Sequence, residues 1–505
     1  MLKSNDHSEL EKRNLTPNDL EKQVARLNQG TIPLNIIGPC HLGDGITQLS
    51  DTHASQYQQA WAKIVGQGRA SKFIPASGAA TRMFQPLLQY LGDSTHPTEL
   101  VGDFGRSLHR FPFFDALSHT LQQQGHHVET LRDSQNFIPI LNALLHPQGL
   151  NYANLPKALL PFHRYPHETR TALEEHIHDG FRLIRDKQHH IRCHITVSPE
   201  HRDPLHQHVT AIKEKWADSH STVDFAISLQ SPETETIALD PQGNIVRTEA
   251  GGVLFRPGGH GALLHNLQDS QGDIVLISNI DNVVPDHLKP PVLEWRALLG
   301  GCLVTIQARI HSLLNALAEG HNRESILREC ETFMQNELMD PLPSFYGKWT
   351  PAGQIAFFQG YLNRPIRVCG MVKNTGDPGG GPFWVRDQTG TVSKQIVEQA
   401  QIDPHSPNQQ KLFKESTHFN PVDMVCGVRN LKGEVFDLTQ FVDPNTAFVA
   451  NKSYRGMPIR VLEWPGLWNG GMANWITIFV EIPRVTFNPV KTYLDWLHPH
   501  HQPAS

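Results

Sequence analysis

The sequence predicts an α/β protein built on a mixed sheet flanked by helices, and three observations carry that prediction. From about residue 155 onward, helical segments alternate with β-branched strands, the pattern of a sheet assembled from strand-helix-strand units. Residues 273–278 read DIVLIS, apolar enough to be buried on both faces as a central parallel strand is. The chain has 505 residues, 39% of them hydrophobic and 19% charged, which supplies core for two or three domains.

Taken in order, residues 1 to about 68 predict a helical N-terminal extension, with Thr16 or Asn18 as N-cap and Leu20, Val24 and Leu27 at helical spacing. A short strand at 72–75 runs into a turn of small residues, Ala76-Ser77-Gly78-Ala79-Ala80, followed by Thr81 and Arg82. Residues from about 86 to 150 predict a helical insertion without a strong strand. Helix at 173–184, strand at 192–197, helix at 204–216 and strand at 224–229 come next. The strand at 273–278 ends in Asn279-Ile280-Asp281-Asn282, and a long helical stretch covers 292–338, with Ile306, Ile310, Leu313, Leu314 and Leu317 on one face and a break at Gly320. The remainder is richer in strands, Gly and Pro, and no internal repeat is present.

Composition excludes several functions. Lys and Arg total 44 against 50 Asp and Glu, a net charge of -6, and without a long basic run there is no footprint for a nucleic-acid backbone. The N-terminus is polar, and no run approaches the roughly 20 apolar residues of a membrane span, so neither export nor membrane insertion is expected. The six cysteines are scattered without a Cys-x-x-Cys pair and read as buried thiols of a cytoplasmic protein. The histidine-rich stretches, His189-His190 with Cys193-His194, and His498 with His500-His501, lack the spacing of a metal framework and are expected at the surface.

Three segments can carry chemistry. Small residues after a strand let backbone amides approach phosphate oxygens; Ser77-Gly78-Ala79-Ala80-Thr81-Arg82 meets that need, although on residue grounds alone a plain tight turn is the favoured reading. Arg256-Pro257-Gly258-Gly259-His260-Gly261 is a glycine-dense turn before a helix, suited to close ligand approach or to turn geometry alone. Asp281, at the end of a hydrophobic strand where open α/β sheets place ligands, can hold Mg²⁺ together with phosphate and water, or cap the following turn.

In this order the three segments resemble the UDP-sugar pyrophosphorylase type of nucleotidyltransferase. Ser77 to Arg82 resembles its G-G-x-G-T-R turn, with Ser77 and Ala80 standing where glycines are usual. Leu155-Pro156-Lys157 resembles its Pro-Lys segment, Gln230 its strand-end Gln, Arg256 to Gly261 its P-x-G-H-G loop, and Ser278 to Asn282 its metal-binding strand end. Phe487-Asn488-Pro489-Val490-Lys491-Thr492 resembles its F-x-P-V-K-T segment. The wording SGAATRMF, GGHGAL, NIDNVVPD and LWNG is similar to a bacterial branch known only as a domain of unknown function.

The resemblance implies a Rossmann-like, GT-A-like nucleotide-diphospho-sugar transferase fold. Its core would span 69–345 around the insertion, and residues 346–505 would complete the sugar site. It also implies transfer of a nucleotidyl group, uridylyl by preference, from a nucleoside triphosphate such as UTP to a sugar 1-phosphate with release of pyrophosphate. Arg82 and residues Ser77, Gly78, Ala79, Ala80 and Thr81 would then meet the triphosphate. Lys157 would meet the α-phosphate or sugar phosphate, Lys491 would reach the phosphates, and Asp281 would hold Mg²⁺. Gln230, Gly259, His260 and Gly261 would face the base. Polar and aromatic clusters beside glycines suit a sugar, and His418, Asn420, Asp423 and Asn469 are its candidates, Asp423 also as a second metal ligand. A non-catalytic sugar-nucleotide sensor and a glycosyltransferase using an NDP-sugar are the alternatives.

Overall fold

The computed structural model describes residues 4–78, 80–92, 99–216, 221–320, 322–377 and 379–504. Its contacts divide it into two compact units, each discontinuous in sequence. The first comprises Met1–Phe73, Gln230–Ile277 and Arg296–Arg484, and the second Ile74–Leu229, Ser278–Trp295 and Val485–Ser505.

The first unit is built on a mixed sheet whose neighbouring strands are, in order, His41–Leu42, Gly45–Thr47, Ile476–Glu481, Ile366–Lys373, Met424–Gly427, Ile274–Ile277 and the start of Ala70–Pro75. Met424–Gly427 is antiparallel to both of its neighbours, and the other pairings are parallel. The apolar run at 274–277 is buried throughout, as a central strand demands. On one face Phe73, Val275, Ile277, Cys369, Met424 and Cys426 pack with Leu263, Leu264 and Leu267 of a short helix. Elsewhere in this unit the long helix Lys289–Glu319, from Arg296 onward, meets the helix Asp51–Gly66, where a Cβ on Gly300 or Gly301 would collide with Trp61 or with the Tyr57 carbonyl; two glycines in mid-helix buy that close approach.

The N-terminal region holds the helices Ser4–Glu11, Pro17–Gln29 and Asp51–Gly66 but also the strands Ile36–Pro39, His41–Leu42 and Gly45–Thr47. The strands arise because Gly38, Pro39, Gly43 and Gly45 interrupt any helix, while Ile36, Ile37, Ile46 and Thr47 are β-branched. Thr16 caps the second helix in a reciprocal box with Asp19. Leu10, Leu20 and Leu27 pack on Ile237, Leu239 and Leu462 of a four-stranded antiparallel sheet.

In the second unit the parallel strands His190–Val197 and Thr222–Leu229 are joined through the helix Arg202–Lys215, and the Ala76 amide donates to Thr196 at 2.9 Å. The insertion forms the helices Gln85–Gly92, Glu99–Arg106, Phe114–Gln123, Val128–Asp133 and Phe137–Leu145. Its core rings Phe111 and Phe113, together with Phe162, hold the C-terminal Trp496 edge-on at centroid distances of 5.4–6.3 Å.

Two expectations are corrected. The stretch Asp286–Glu319 is apolar and long enough to cross a membrane by length and composition, yet 56% of its most apolar window is buried inside the protein, as in a core helix. The histidine stretches are not simply exposed: His194 and His501 are buried, His194 bonding Ser228 at 2.7 Å and His501 bonding His163 at 3.0 Å. A buried imidazole needs such partners. All six cysteines are free and buried.

Candidate functional site

The second unit gathers four segments that are remote in sequence. The turn after the strand Ala70–Pro75 is tied to the Leu155-Pro156-Lys157 segment: the Ala80 amide donates to the Leu155 carbonyl at 3.0 Å, the Lys157 amide to the Gly78 carbonyl at 3.4 Å, and Thr81 Oγ1 to the Ala153 carbonyl at 2.8 Å. The helical insertion therefore leaves and returns at one place, and Lys157 lies beside the turn despite its distance in the chain. Ala80 is buried, and its amide is committed to Leu155. Gly78 is exposed, with open space where a Cβ would stand. Ser77 is half-buried, Arg82 is exposed, and Ala79 lies outside the described residues.

Lys157 Nζ donates to Asp281 Oδ2 at 2.8 Å and to the Val490 carbonyl at 2.8 Å. The Asp281 carbonyl accepts from the Val490 amide at 3.0 Å, and Asn282 bridges to Pro489 as an isolated antiparallel pair. Asn282 also bonds the Thr486 carbonyl at 3.1 Å and accepts from the Asn488 amide at 2.9 Å. His176, on the helix Ala172–Leu183, places Nε2 3.1 Å from the Asn279 carbonyl and 3.2 Å from that of Ile280. The strand end, the Pro-Lys segment and the C-terminal segment are thus one hydrogen-bonded assembly. Lys491 is exposed at its edge, with Nζ 5.4 Å from the Phe487 ring centroid.

Both side chains of the Lys157–Asp281 pair keep about one-sixth of their surface in solvent, 16% and 17%, so an incoming anion or cation can reach them. Among the described residues no three His, Cys, Asp or Glu side chains form a metal-ligand group. A single accessible carboxylate nonetheless fits Mg²⁺, which takes one or two carboxylates and fills its remaining positions with phosphate oxygens and water.

The other candidates fall in the first unit. Gln230 directly follows Thr222–Leu229 and is half-buried. The glycines of the 256–261 loop answer to the protein's own packing: a Cβ on Gly258 would lie 2.4 Å from the Trp464 ring, and one on Gly261 2.6 Å from the Pro465 carbonyl. His260 is exposed and lies 4.3 Å from the Trp468 ring, centroid to centroid.

His418 lines a cavity of about 480 Å³ together with Phe383, Phe413, Phe419 and Glu398. Burial pulls the His418 imidazole below its ordinary pKa, against the pull of Glu481 at 3.4 Å. Asn469 donates to Glu398 Oε1 at 3.0 Å. Burial also pushes the Glu398 carboxyl upward, with Glu463 adding to it, the usual sign for a carboxylate removed from water. The side chain of Asn420 instead serves the backbone, bonding the Gly370 carbonyl at 2.9 Å and the Val422 amide at 3.1 Å. Asp423 gives both oxygens to the buried Arg296 guanidinium, at 3.0 and 3.3 Å.

Sequence reasoning missed Glu398 and Glu175. Glu398 belongs to no spacing that marks it. Glu175 follows Glu174 in the first turn of a helix, where acidic residues are ordinary, yet it is fully buried among charged partners.

Comparison with solved structures finds a UDP-glucose pyrophosphorylase variant from Leishmania major in complex with UDP-glucose, 12% identical over 97% of this chain and 77% of that one, with a TM-score of 0.44. It also finds the uridine diphosphate N-acetylglucosamine pyrophosphorylase of Trypanosoma brucei, 11% identical over 95% and 74%, with a TM-score of 0.46. No curated protein sequence matches. A family model, the domain of unknown function DUF4301, matches residues 3–502, and the chain belongs to that family.

Proposed function

We propose that this protein is a nucleotidyltransferase that moves a nucleotidyl group, uridylyl by preference, from a nucleoside triphosphate to a sugar 1-phosphate. The observation that carries the proposal is the convergence on Asp281: Lys157 and Val490 meet it from separate segments, and Gly78 adjoins Lys157. These are the groups that two facing polyanions require.

In the proposed reaction an oxygen of the sugar phosphate attacks the α-phosphorus. A new phosphorus–oxygen bond forms, the bond to the β-phosphate oxygen breaks, and pyrophosphate leaves with that electron pair. No covalent enzyme intermediate is required, so the residues act by positioning and charge neutralisation. The Ser77 and Gly78 amides and Arg82 hold the triphosphate, Lys157 neutralises the α-phosphate or the sugar phosphate, and Lys491 reaches the phosphates from the C-terminal segment. Asp281 would hold Mg²⁺, whose chemistry when bound is to neutralise charge on the phosphates.

The base-side role of Gln230, Gly259, His260 and Gly261 rests on the resemblance of their segments alone. His418 and Asn469 keep the sugar-side role, with Asn420 and Asp423 supporting that region through their bonds to Gly370 and Arg296. Buried free thiols and the acidic balance fit a cytoplasmic setting.

The test is pyrophosphate release by purified protein with Mg²⁺, each nucleoside triphosphate and a panel of sugar 1-phosphates. Release that needs one member of each class supports the transferase. Nucleotide-induced stabilisation without release for any pair would favour the sensor, and sugar transfer from an NDP-sugar to an acceptor would favour the glycosyltransferase.

A further inference from the structure

The second unit contains a buried ionic cluster centred on Glu175, whose side chain is fully buried. Its Oε1 lies 3.0 Å from His163 Nδ1 and accepts from the Tyr165 hydroxyl at 2.6 Å. Its Oε2 lies 2.9 Å from Lys289 Nζ and 3.8 Å from Arg170. Lys289, itself 1% exposed, has Asp179 as a second partner at 2.6 Å. Arg170 holds Asp286 through two contacts of 3.0 Å, and the Asp286 amide donates to the Tyr165 hydroxyl at 3.2 Å. The other ring nitrogen of His163 meets His501 Nδ1 at 3.0 Å, and His501 is hydrogen-bonded to the backbone of Asn488.

Each arm of this cluster ends beside a residue of the candidate site. His163 stands on the segment that leaves Lys157. Lys289 and Asp286 stand on the segment that leaves Asp281. His501 grips Asn488, close to Val490 and Lys491. Taking several charges out of water is costly, and a buried ion pair is often no more stabilising than an apolar replacement. What such a cluster supplies is a fixed relation between the elements it joins.

We propose that Glu175 is a positioning residue that sets the mutual placement of the three segments carrying Lys157, Asp281 and Lys491. The inference rests on the transferase reading. Glu175 touches no substrate in it and acts through His163, His501, Lys289 and Arg170. Ground-state binding draws also on the Ser77–Gly78 turn, whose ties run to Leu155 and Lys157 rather than to Glu175. Loss of the carboxylate is therefore expected in turnover more than in nucleotide affinity.

The test compares wild type, Glu175→Gln, the double variant Glu175→Leu with Lys289→Met, and His501→Ala. The double variant removes the carboxylate and its closest ammonium together, which leaves Asp179 without its partner at 2.6 Å, and His501→Ala cuts only the C-terminal arm. Melting temperature, kcat for pyrophosphate release and KM for the nucleotide are measured separately, well below each melting point. The expected result is a kcat at least tenfold lower in every variant, with KM within threefold. A merely structural Glu175 would shift melting while leaving kcat per folded molecule within threefold, and that overturns the proposal without touching the transferase reading. Should Glu175 variants fail to fold, His501→Ala decides by the same criterion. Wild type without pyrophosphate release overturns both.

Discussion

Lys157 and Asp281, 124 residues apart in sequence, form an ion pair of 2.8 Å in which the lysine also binds the Val490 carbonyl. The cation proposed for phosphate and the carboxylate proposed for metal therefore neutralise each other when neither ligand is present. In the proposed function a bound metal-nucleotide would exchange that partnership, with phosphate meeting Lys157 and Asp281 holding the metal. Both are the kind of charge that is stabilised only while matched.

Lys157→Ala and Asp281→Ala are each expected to lower pyrophosphate release by about 10²–10³-fold, the scale of losing one preorganised charge partner, or about 2.7–4 kcal/mol. Stability should fall by about 1–3 kcal/mol, because either change leaves a mostly covered charge without its partner. Kinetics paired with urea unfolding checks the contrast; a large stability loss with unchanged rate would assign the pair to the fold instead.

Chelation should separate function from stability in the same way. With no three-residue metal-ligand group among the described residues, EDTA is expected to leave the melting temperature unchanged and to abolish pyrophosphate release. Lys157→Met should bind Mn²⁺ more tightly than wild type in the absence of nucleotide, since the competing ammonium is gone. Mn²⁺ titration followed by electron paramagnetic resonance reads this directly.

The buried His501 makes stability fall on acidification. Burial, with His163, His500 and His498 nearby, holds its pKa down to about 2 against an ordinary 6.5. Below 6.5 the unfolded chain binds a proton that the folded one refuses, so stability falls as pH falls from 6.5 toward 2, by about 1.4 kcal/mol per pH unit once well below 6.5. Glu175, held below its ordinary 4.5 chiefly by Lys289 against the cost of burial, adds a loss in the same direction below 4.5. Urea midpoints at pH 7 and pH 5 should differ less in His501→Phe than in wild type; an equal difference would contradict the assignment.

Two glycines offer a contrast between packing and ligand approach. Gly258→Ala would drive a Cβ to 2.2 Å from the Thr234 carbonyl and into Trp464, and is expected to destabilise by about 1–3 kcal/mol. Gly78→Ala meets nothing within 4 Å, so its melting temperature should match wild type. A weakened nucleotide-induced melting shift in Gly78→Ala would show that phosphate approaches the turn there.

The C-terminal segment is anchored by an aromatic side chain rather than by charge alone. Trp496 is fully buried against Phe111, Phe113 and Phe162, and Trp496→Ala should cost about 3–5 kcal/mol. Because Val490 and Lys491 lie on the same segment, activity should fall further than the folded fraction does, as measured by kinetics beside circular dichroism.

Much of this architecture was legible in the chain. The alternation after residue 155 and the apolar run at 273–278 led to the right strands and helices because burial on a sheet writes a strong local pattern. Residues 36–47 were harder: the strands are short, and their partners, such as Ile476–Glu481, lie hundreds of residues away. The phosphate and metal candidates rest on motif order, whereas the position of Lys157 beside Gly78 depends on how the insertion closes, a long-range property. Glu175 and Glu398 were not legible at all. A glutamate in a helix or at a strand end looks solvent-facing until the fold buries it. Asp423 shows the converse, an acidic residue in a suggestive cluster that a distant arginine claims.

A double-mutant cycle decides whether Lys157 and Asp281 act as one unit on the reacting phosphates. Pyrophosphate release is measured for wild type, Lys157→Ala, Asp281→Ala and the double variant with the same substrate pair. Each single change is expected to remove most of the rate, and the double variant to be little worse than either. Fully additive losses, or single variants that retain wild-type rates, would contradict it.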